Sequence, residues 1–549
     1  MSNQESNDPS VEVDPPVKKP GFFALLWNAK SNWRFARRLL IGLAVFITLI
    51  AVLLTLDGIR GKWAWENFQA ELKAAGEPIH SSELPPPPVP DDQNFAMTPL
   101  LAPLLDYEYN TYEDAKVWRD PAAKERLITL TDVVFLHVRI PLANRHKLLI
   151  TDLAPWQVHI RGITNFALPP DRISAANIEI EASNPGKEIV TYDTNYAAKD
   201  ILIALEFYDQ EMNELHQAAR RPHAQFPIHY HEGFAAVLPH LRVLRNFSRV
   251  SQLKAVALLA DDQAEQALAE VLLMIQMSKS IRGDALLISG LVQVAILRQF
   301  SLVVWEGIAR RQWTPEHLKT LEQGLRSVNL VIDYRHAIRG ERVLATETVL
   351  KYHSNLHLLS DGNEGWLPDL LRWGPRGLFY QNLVYLGRAY DPHLALPVVD
   401  VEKRRFDLIL DNIRATQIDE DLEHIRPYNL LARMLIPAFS KALRRYAEGQ
   451  VEVDQMRLAC AIELFRHQHG HPPESLAELA PNFIPTVPSD PLTGQPYLYT
   501  HTGNDYTLYS LGANGTDEGG LIVWKEGNRP DQPDSNQGDW VWRSLPAGN

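Results

Sequence analysis

The chain has 549 residues, a formal net charge of −13 and a single cysteine. Such an acidic balance offers no basic surface for a sequence-independent grip on nucleic acid, and one thiol excludes an internal disulfide or a multi-cysteine metal centre. With 45% hydrophobic residues the chain has the composition of packed cores rather than of a disordered polymer.

Residues 1–38 read as a cytoplasmic tail, polar and proline-bearing to about residue 20 and basic thereafter, with Phe22, Phe23, Leu26 and Trp27 on one apolar side. The stretch Leu39 to Leu56 carries no charge. At about 1.5 Å per residue it covers about 27 Å, enough to cross a hydrocarbon core, and a transmembrane helix is expected over 39–58. Lys18, Lys19, Lys30, Arg34, Arg37 and Arg38 precede it, whereas Asp57, Arg60, Lys62 and Glu66 behind it have mixed signs. The positive-inside bias therefore puts the N-terminus in the cytoplasm and the body outside, with the lipid bilayer as the first partner. A cleaved signal peptide fits less well, because both the basic region and the apolar stretch are long for one.

Residues 59–98 read as a short helix from Trp63 to Ala75 followed by the proline-rich run Leu84 to Asp92, a stiff extended spacer between membrane and body. Residues 99–232 read as a mixed α/β region. Strand character is found in Val133–Val138 and Asn177–Glu181, and Leu202, Leu205, Tyr208, Met212 and Leu215 give Ala197–Arg220 helical spacing. Residues 233–450 read as a helical domain, a bundle or short helical array, broken at Asp261-Asp262 and Gly283-Asp284 and restarted at Thr314-Pro315-Glu316. The run Leu286 to Val304 is apolar enough to raise the question of a second span, but Gln293, Arg298 and Gln299 favour a buried core helix. Residues 356–392 read as loop, and helix returns near 401 and continues to Arg466 with a kink at Pro437. The fold class expected is mainly α, with a small α+β module over 451–549.

In that module Val453, Met456, Cys460 and Leu464 form one helical stripe, so Cys460 reads as a core residue and not a nucleophile. His467-Gln468-His469-Gly470-His471-Pro472-Pro473 stops the helix. Tyr497-Leu498-Tyr499 and Tyr506-Thr507-Leu508-Tyr509 alternate as strands around a turn at Thr502-Gly503-Asn504. Together with Leu479 to Pro491 and Tyr509-Ser510-Leu511-Gly512-Ala513-Asn514-Gly515, these residues resemble the globular tail of the major pseudopilin of bacterial type II secretion. The segments Ala75 to Pro78 and Val89 to Ala96 likewise resemble a juxtamembrane signature of single-pass bacterial membrane proteins that end in the same tail. The pseudopilin resemblance implies a calcium ion held by the Leu511 carbonyl, Asn514, Asp517 and Asp539, and oxygen donors on glycine-rich turns are the chemistry calcium prefers. The thirteen acidic against five basic residues of 451–549 favour a cation. Asn514 stands where the family usually carries aspartate, and Leu521 to Gly538 is longer than the family's loop; an ordinary glycine-rich turn is the alternative.

One further cluster stands out: His223, His229, His231 and Glu232, with His240 beyond. Alternate histidines on a strand could share a metal. There is no His-Glu-x-x-His helix, no Gly-x-Ser-x-Gly elbow, no phosphate loop and no dinucleotide fingerprint. The function expected is therefore a non-enzymatic one. It is that of a membrane-anchored structural or interaction protein of the bacterial envelope, its body periplasmic, its role secretion-related and its partners other envelope proteins. A metal-dependent periplasmic hydrolase built on His223, His229 and His231 is one alternative, and a glycan- or peptidoglycan-binding protein using exposed Trp and Tyr is another.

Overall fold

The computed structural model describes residues 33–110, 115–131, 140–162, 196–351, 374–390, 398–423, 426, 428–435, 439–526 and 532–546. The expected cytoplasmic tail as far as residue 32, the strands at 133–138 and 177–181 and the kink at Pro437 lie outside these residues, while residues 33–38 of that tail already belong to the first helix.

Helix α1 (Trp33–Ala74) is unbroken. At about 1.5 Å per residue it is about 63 Å long, twice the thickness of a hydrocarbon core. Its first half is apolar on every side: Leu39, Ile41, Phe46, Leu49, Leu53, Leu56 and Ile59 are all exposed, with a mean hydropathy of 3.0 in the most apolar window. That half is long and apolar enough to serve as a membrane anchor. Beyond it Trp65, Phe68 and Leu72 are buried. The helix expected to start afresh at Trp63 is thus the continuation of the apolar one: no proline falls between Asp57 and Trp63, and Gly58 and Gly61 lower helix propensity without ending the helix.

The proline-rich run does not hold the body away from this helix. Leu84 is buried, Gln225 Nε2 donates to the Pro86 carbonyl at 3.0 Å, and Phe95 just beyond is fully buried. A hairpin follows, β1 (Tyr107–Asn110) paired with β2 (Ala115–Trp118). Then come α2 (Pro121–Thr131), α3 (Ala154–Gly162), α4 (Ala197–Leu205) and α5 (Asp209–Ala218).

The helical body is built from α6 (Pro239–Ala260), α7 (Ala264–Ser280), α8 (Leu287–Ala309), α9 (Pro315–Arg326) and α10 (Leu330–Lys351). The breaks fall where Asp262 turns with φ 58° and at Gly283-Asp284, and Thr314 caps α9 by accepting from His317 N at 3.3 Å. Helix α8 is the second one apolar enough to span a membrane, yet 61% of its apolar window is buried inside the protein. Its polar residues explain the choice. Gln293 donates to Asp333 at 2.8 Å, Arg298 pairs with Glu448, and Gln299 accepts from Ser248.

Next are α11 (Arg376–Tyr390), α12 (Leu408–Glu423), α13 (Leu430–Leu435) and α14 (Phe439–His469), with a two-residue ladder of β3 (Val399–Asp400) on β4 (Arg405–Phe406) preceding α12. Helix α11 arises where the sequence reads as loop. Its two glycines lower helix propensity, but they are where it packs. A Cβ on Gly61 of α1 would lie 2.5 Å from Gly377 Cα, a Cβ on Gly377 would lie 2.2 Å from the Asp57 carbonyl oxygen, and one on Gly387 would meet the Phe68 ring at 2.5 Å. The two helices touch backbone to backbone.

Every residue of α14 from Gly449 to Glu463 is buried, with α8, α9, α10 and α12 packed around it. A domain boundary at 450/451 therefore falls inside one helix. The chain then forms an antiparallel sheet in the order β5 (Leu498–Thr502), β6 (Asp505–Ser510), β7 (Trp540–Arg543). Gly503, at φ 58°, makes the β5–β6 turn. The inward-facing Tyr506, Leu508 and Trp542 are buried, and Trp305 of α8 donates to the Arg543 carbonyl at 2.8 Å.

Gly377→Ala should lower the unfolding midpoint of the detergent-solubilised chain by the equivalent of about 1–3 kcal/mol, the usual cost of overpacking. Gly42→Ala, with nothing within 4 Å of its new Cβ, should leave the midpoint unchanged. Equal effects of the two would refute the close α1–α11 contact.

Candidate functional site

Three places in the described residues gather chemistry. The first is the C-terminal loop. Gly512, Gly515, Gly519 and Gly520 have φ between 67° and 79°, so the chain doubles back, and a Cβ on Gly512 would meet the Gly538 carbonyl at 2.5 Å. The long segment from Leu521 to Gly538 thus does return Asp539 to the loop: Asp539 Oδ2 accepts from Gly520 N at 2.7 Å. Asp517 Oδ1 accepts from Gly519 N at 2.9 Å and Tyr509 OH at 3.4 Å. Asn514 Oδ1 accepts from Thr516 N at 3.2 Å, and its Nδ2 donates at 2.7 Å to Glu518, a residue the pattern of candidate ligands omits. Leu511 opens the turn, half-buried.

Asp539 is 4% exposed. Burial raises its pKa above the ordinary carboxylate value, and the charges of Glu518 and Asp517 raise it further. Its Oδ1 and Glu518 Oε2 are buried without a hydrogen-bond partner. Asp517, Glu518 and Asp539 do not bring three ligand atoms within 4.8 Å of one another.

The second place is the histidine cluster. Tyr230–Ala235 form a 3₁₀ turn and not a strand, so His229, just before the turn, meets His231 and Glu232 at positions i, i+2 and i+3. One ligand atom from each lies within 4.8 Å of the others. His223 is elsewhere: it is exposed, and its backbone pairs with the segment 93–95. His240 is fully buried, 3.0 Å from Asp284 and stacked on Phe226. Glu232, 5% exposed, takes its place in the group. Burial holds the pKa of His229 below its ordinary value; His231 and Lys116 add to the shift and Glu232 opposes it. The C-terminal histidines serve the fold: His469 stacks on Phe465, and His471 Nδ1 lies 2.8 Å from the Pro472 carbonyl. Cys460 is fully buried, and its pKa is pushed up by that burial.

The third place has no local signature in the sequence. A cleft of about 510 Å³ opens where the loop 143–146, α8 and α14 face residues 522–525 and 532–541, within the size range of ligand sites. Arg145, Arg298 and Arg445 share Glu448 and Glu452: Arg145 lies 2.5 Å from Glu452, Arg445 lies 2.9 Å from Glu448, and Arg298 pairs with both. Buried nitrogens without a partner line the same walls, Arg145 Nε, His146 Nδ1 and Trp540 Nε1. Burial, reinforced by the surrounding arginines, holds the His146 pKa well below its ordinary value. Asp539 also lines the cleft.

Comparison with protein-family models, with curated proteins and with solved structures returns no match. The chemistry of these three places therefore rests on their own geometry.

Asp539→Asn should raise the unfolding midpoint at pH 7 in chelator, because it removes one of three mutually repelling carboxylates while its amide oxygen still accepts from Gly520. The folded state holds the Asp539 proton more tightly than the unfolded state. The native residue's disadvantage is therefore absent below the ordinary carboxylate range and grows as pH rises through the folded-state pKa. Midpoints measured across pH 4–8 that differ by a constant, or that fall on substitution, would contradict this.

Proposed function

We propose that the protein is a single-pass structural or interaction protein of the bacterial envelope. Its N-terminus is cytoplasmic, its body periplasmic, and its partner docks in the cleft between the helical body and a pseudopilin-like C-terminal module. The charge asymmetry around α1 supports the orientation. The long helix α14, stopped at Gly470 with φ 83° and followed by a small antiparallel sheet, supports the pseudopilin-like reading and with it the secretion-related role.

The observation that carries the proposal is the cleft's unmet hydrogen bonding. Buried polar groups in folded proteins are nearly always paired, yet Arg145 Nε and Trp540 Nε1 are buried donors with no acceptor, and Arg298 and Arg445 beside them share the same two carboxylates. The chemistry that completes such a wall is an anionic, carboxylate-bearing segment of a partner protein. Calcium belongs to the same reading. The Leu511 carbonyl, Asn514, Asp517 and Asp539, joined by Glu518, would supply hard oxygen donors, and an ion there would neutralise Asp539, which lines the cleft.

A photo-crosslinking residue at Ser535, on the cleft wall, should trap a discrete envelope protein in cells. Arg445→Glu should cut that yield about tenfold, as expected for loss of one charge-assisted hydrogen bond. Equal trapping from Phe207, exposed elsewhere on the body, or an unchanged yield in the variant, would overturn the proposal.

A further inference from the structure

We propose that His229, His231 and Glu232 form a transition-metal site of the zinc type, with one coordination position open to solvent. This goes beyond the docking function, and it is independent of the calcium loop. Two imidazoles and one carboxylate are the donor set of catalytic zinc centres, whereas calcium and magnesium call for oxygen alone. Zinc bonds of about 2.0–2.2 Å place neighbouring tetrahedral ligand atoms about 3.3 Å apart. The three side chains already hold theirs within 4.8 Å, and the ring of His231, being exposed, is free to close the remaining distance.

Glu232 is the residue that points to a cation. It is more than nine-tenths buried, and its two oxygens are treated differently. Oε2 accepts from Lys116 Nζ at 2.5 Å and from Tyr107 OH at 3.2 Å. Oε1 is buried with no hydrogen-bond partner and faces His229 Nδ1 at 3.9 Å. A carboxylate with one oxygen fixed by outer partners and the other free is arranged as a monodentate metal ligand with its second shell in place. Left alone, that buried oxygen has no hydrogen bond to offset its own desolvation, Lys116 and Tyr107 being held by the other oxygen.

The frame around the three residues is rigid. The His229 ring stacks on Tyr107 with centroids 4.2 Å apart. Gly233, at φ 62°, leaves no room for a side chain, since a Cβ there would lie 2.1 Å from Thr348 Oγ1. Phe234 N donates to that same hydroxyl at 3.2 Å. The turn is thereby pinned between the β1–β2 hairpin and α10. Three protein ligands leave a fourth position for water, which is the ligand count of catalytic rather than structural zinc.

The test is zinc titration of the chelator-stripped full chain in detergent by calorimetry, with cobalt as a spectroscopic stand-in. One zinc per chain is expected. His231→Asn, at an exposed position that leaves the fold intact, and Glu232→Gln should each weaken binding about a hundredfold or more. His223→Asn and the pair His469→Asn with His471→Asn should bind as the native chain does. Bound cobalt should show visible bands that shift when azide fills the open position. Absence of one-to-one binding, or binding that survives His231→Asn and is lost with the His469 and His471 pair, would overturn the site. Bands indifferent to azide would overturn its open position.

Discussion

The structure depends on one buried helix. From Gly449 to Glu463 every residue of α14 is buried, so its polar residues need partners, and all but Glu463, which pairs with Arg466 on the helix itself, find one in another element. Gln450 accepts from Leu330 N at 2.7 Å. Glu452 pairs with Arg145, Asp454 accepts from Arg404 at 2.6 Å, and Arg457 donates to Glu322 at 2.9 Å. Gln455 donates to the Trp540 carbonyl at 2.6 Å. A buried charge or amide without its partner costs several kcal/mol. These bonds therefore set the positions of the loop before α3, helix α9, the β3–β4 ladder and strand β7 relative to one another. Gly290 and Gly449 let the neighbouring helices approach, since a Cβ on the first would collide with Tyr446 and one on the second would crowd Leu330 and Val294.

The cleft is a consequence of that arrangement. Its floor is the arginine-facing side of α14, and its far wall is the segment that the Gln455–Trp540 bond ties to the same helix. The acidic loop and the cleft are linked through two adjacent residues, Asp539 in the one and Trp540 in the other. The turn at 230–235 belongs to a separate part of the molecule, fixed by Tyr107, Lys116 and Thr348. At the other end of the body, α1 enters the core at Trp65 with no intervening coil.

Much of this was legible in the sequence where spacing alone decides the outcome. The periodic apolar positions of α6 to α9, the breaks at Asp261-Asp262 and Gly283-Asp284, the cap at Thr314 and the hairpin around Gly503 are local signals, and the structure places them accordingly. The polar residues of α8 marked it as a core helix because each would need a partner, and each has one. Helix α11 was not legible: glycine and tyrosine argue against a helix until one sees that Gly377 and Gly387 face α1. The helix of α14 was legible as one continuing to Arg466, but its packing was not, since a resemblance that begins near residue 451 says nothing of what the helix packs against. The histidine group was half legible. Alternation suggested a strand that holds His223 with the others, but a turn gathers His229, His231 and Glu232 and leaves His223 apart. The cleft left no trace in any window, because its walls come from residues 143–146, 298, 445–455, 522–525 and 532–541.

The central claim is that the C-terminal sheet and the helical body are one unit joined through α14. Native-state hydrogen exchange of the full chain tests it most directly. Amides of α14 from Gly449 to Glu463, of α8 and of β6 should open with the same free energy and the same denaturant dependence. Exchange of α14 and β5–β7 through a separate, lower-energy opening, with α8 still protected, would contradict the account and return the C-terminal module to the status of an independent domain.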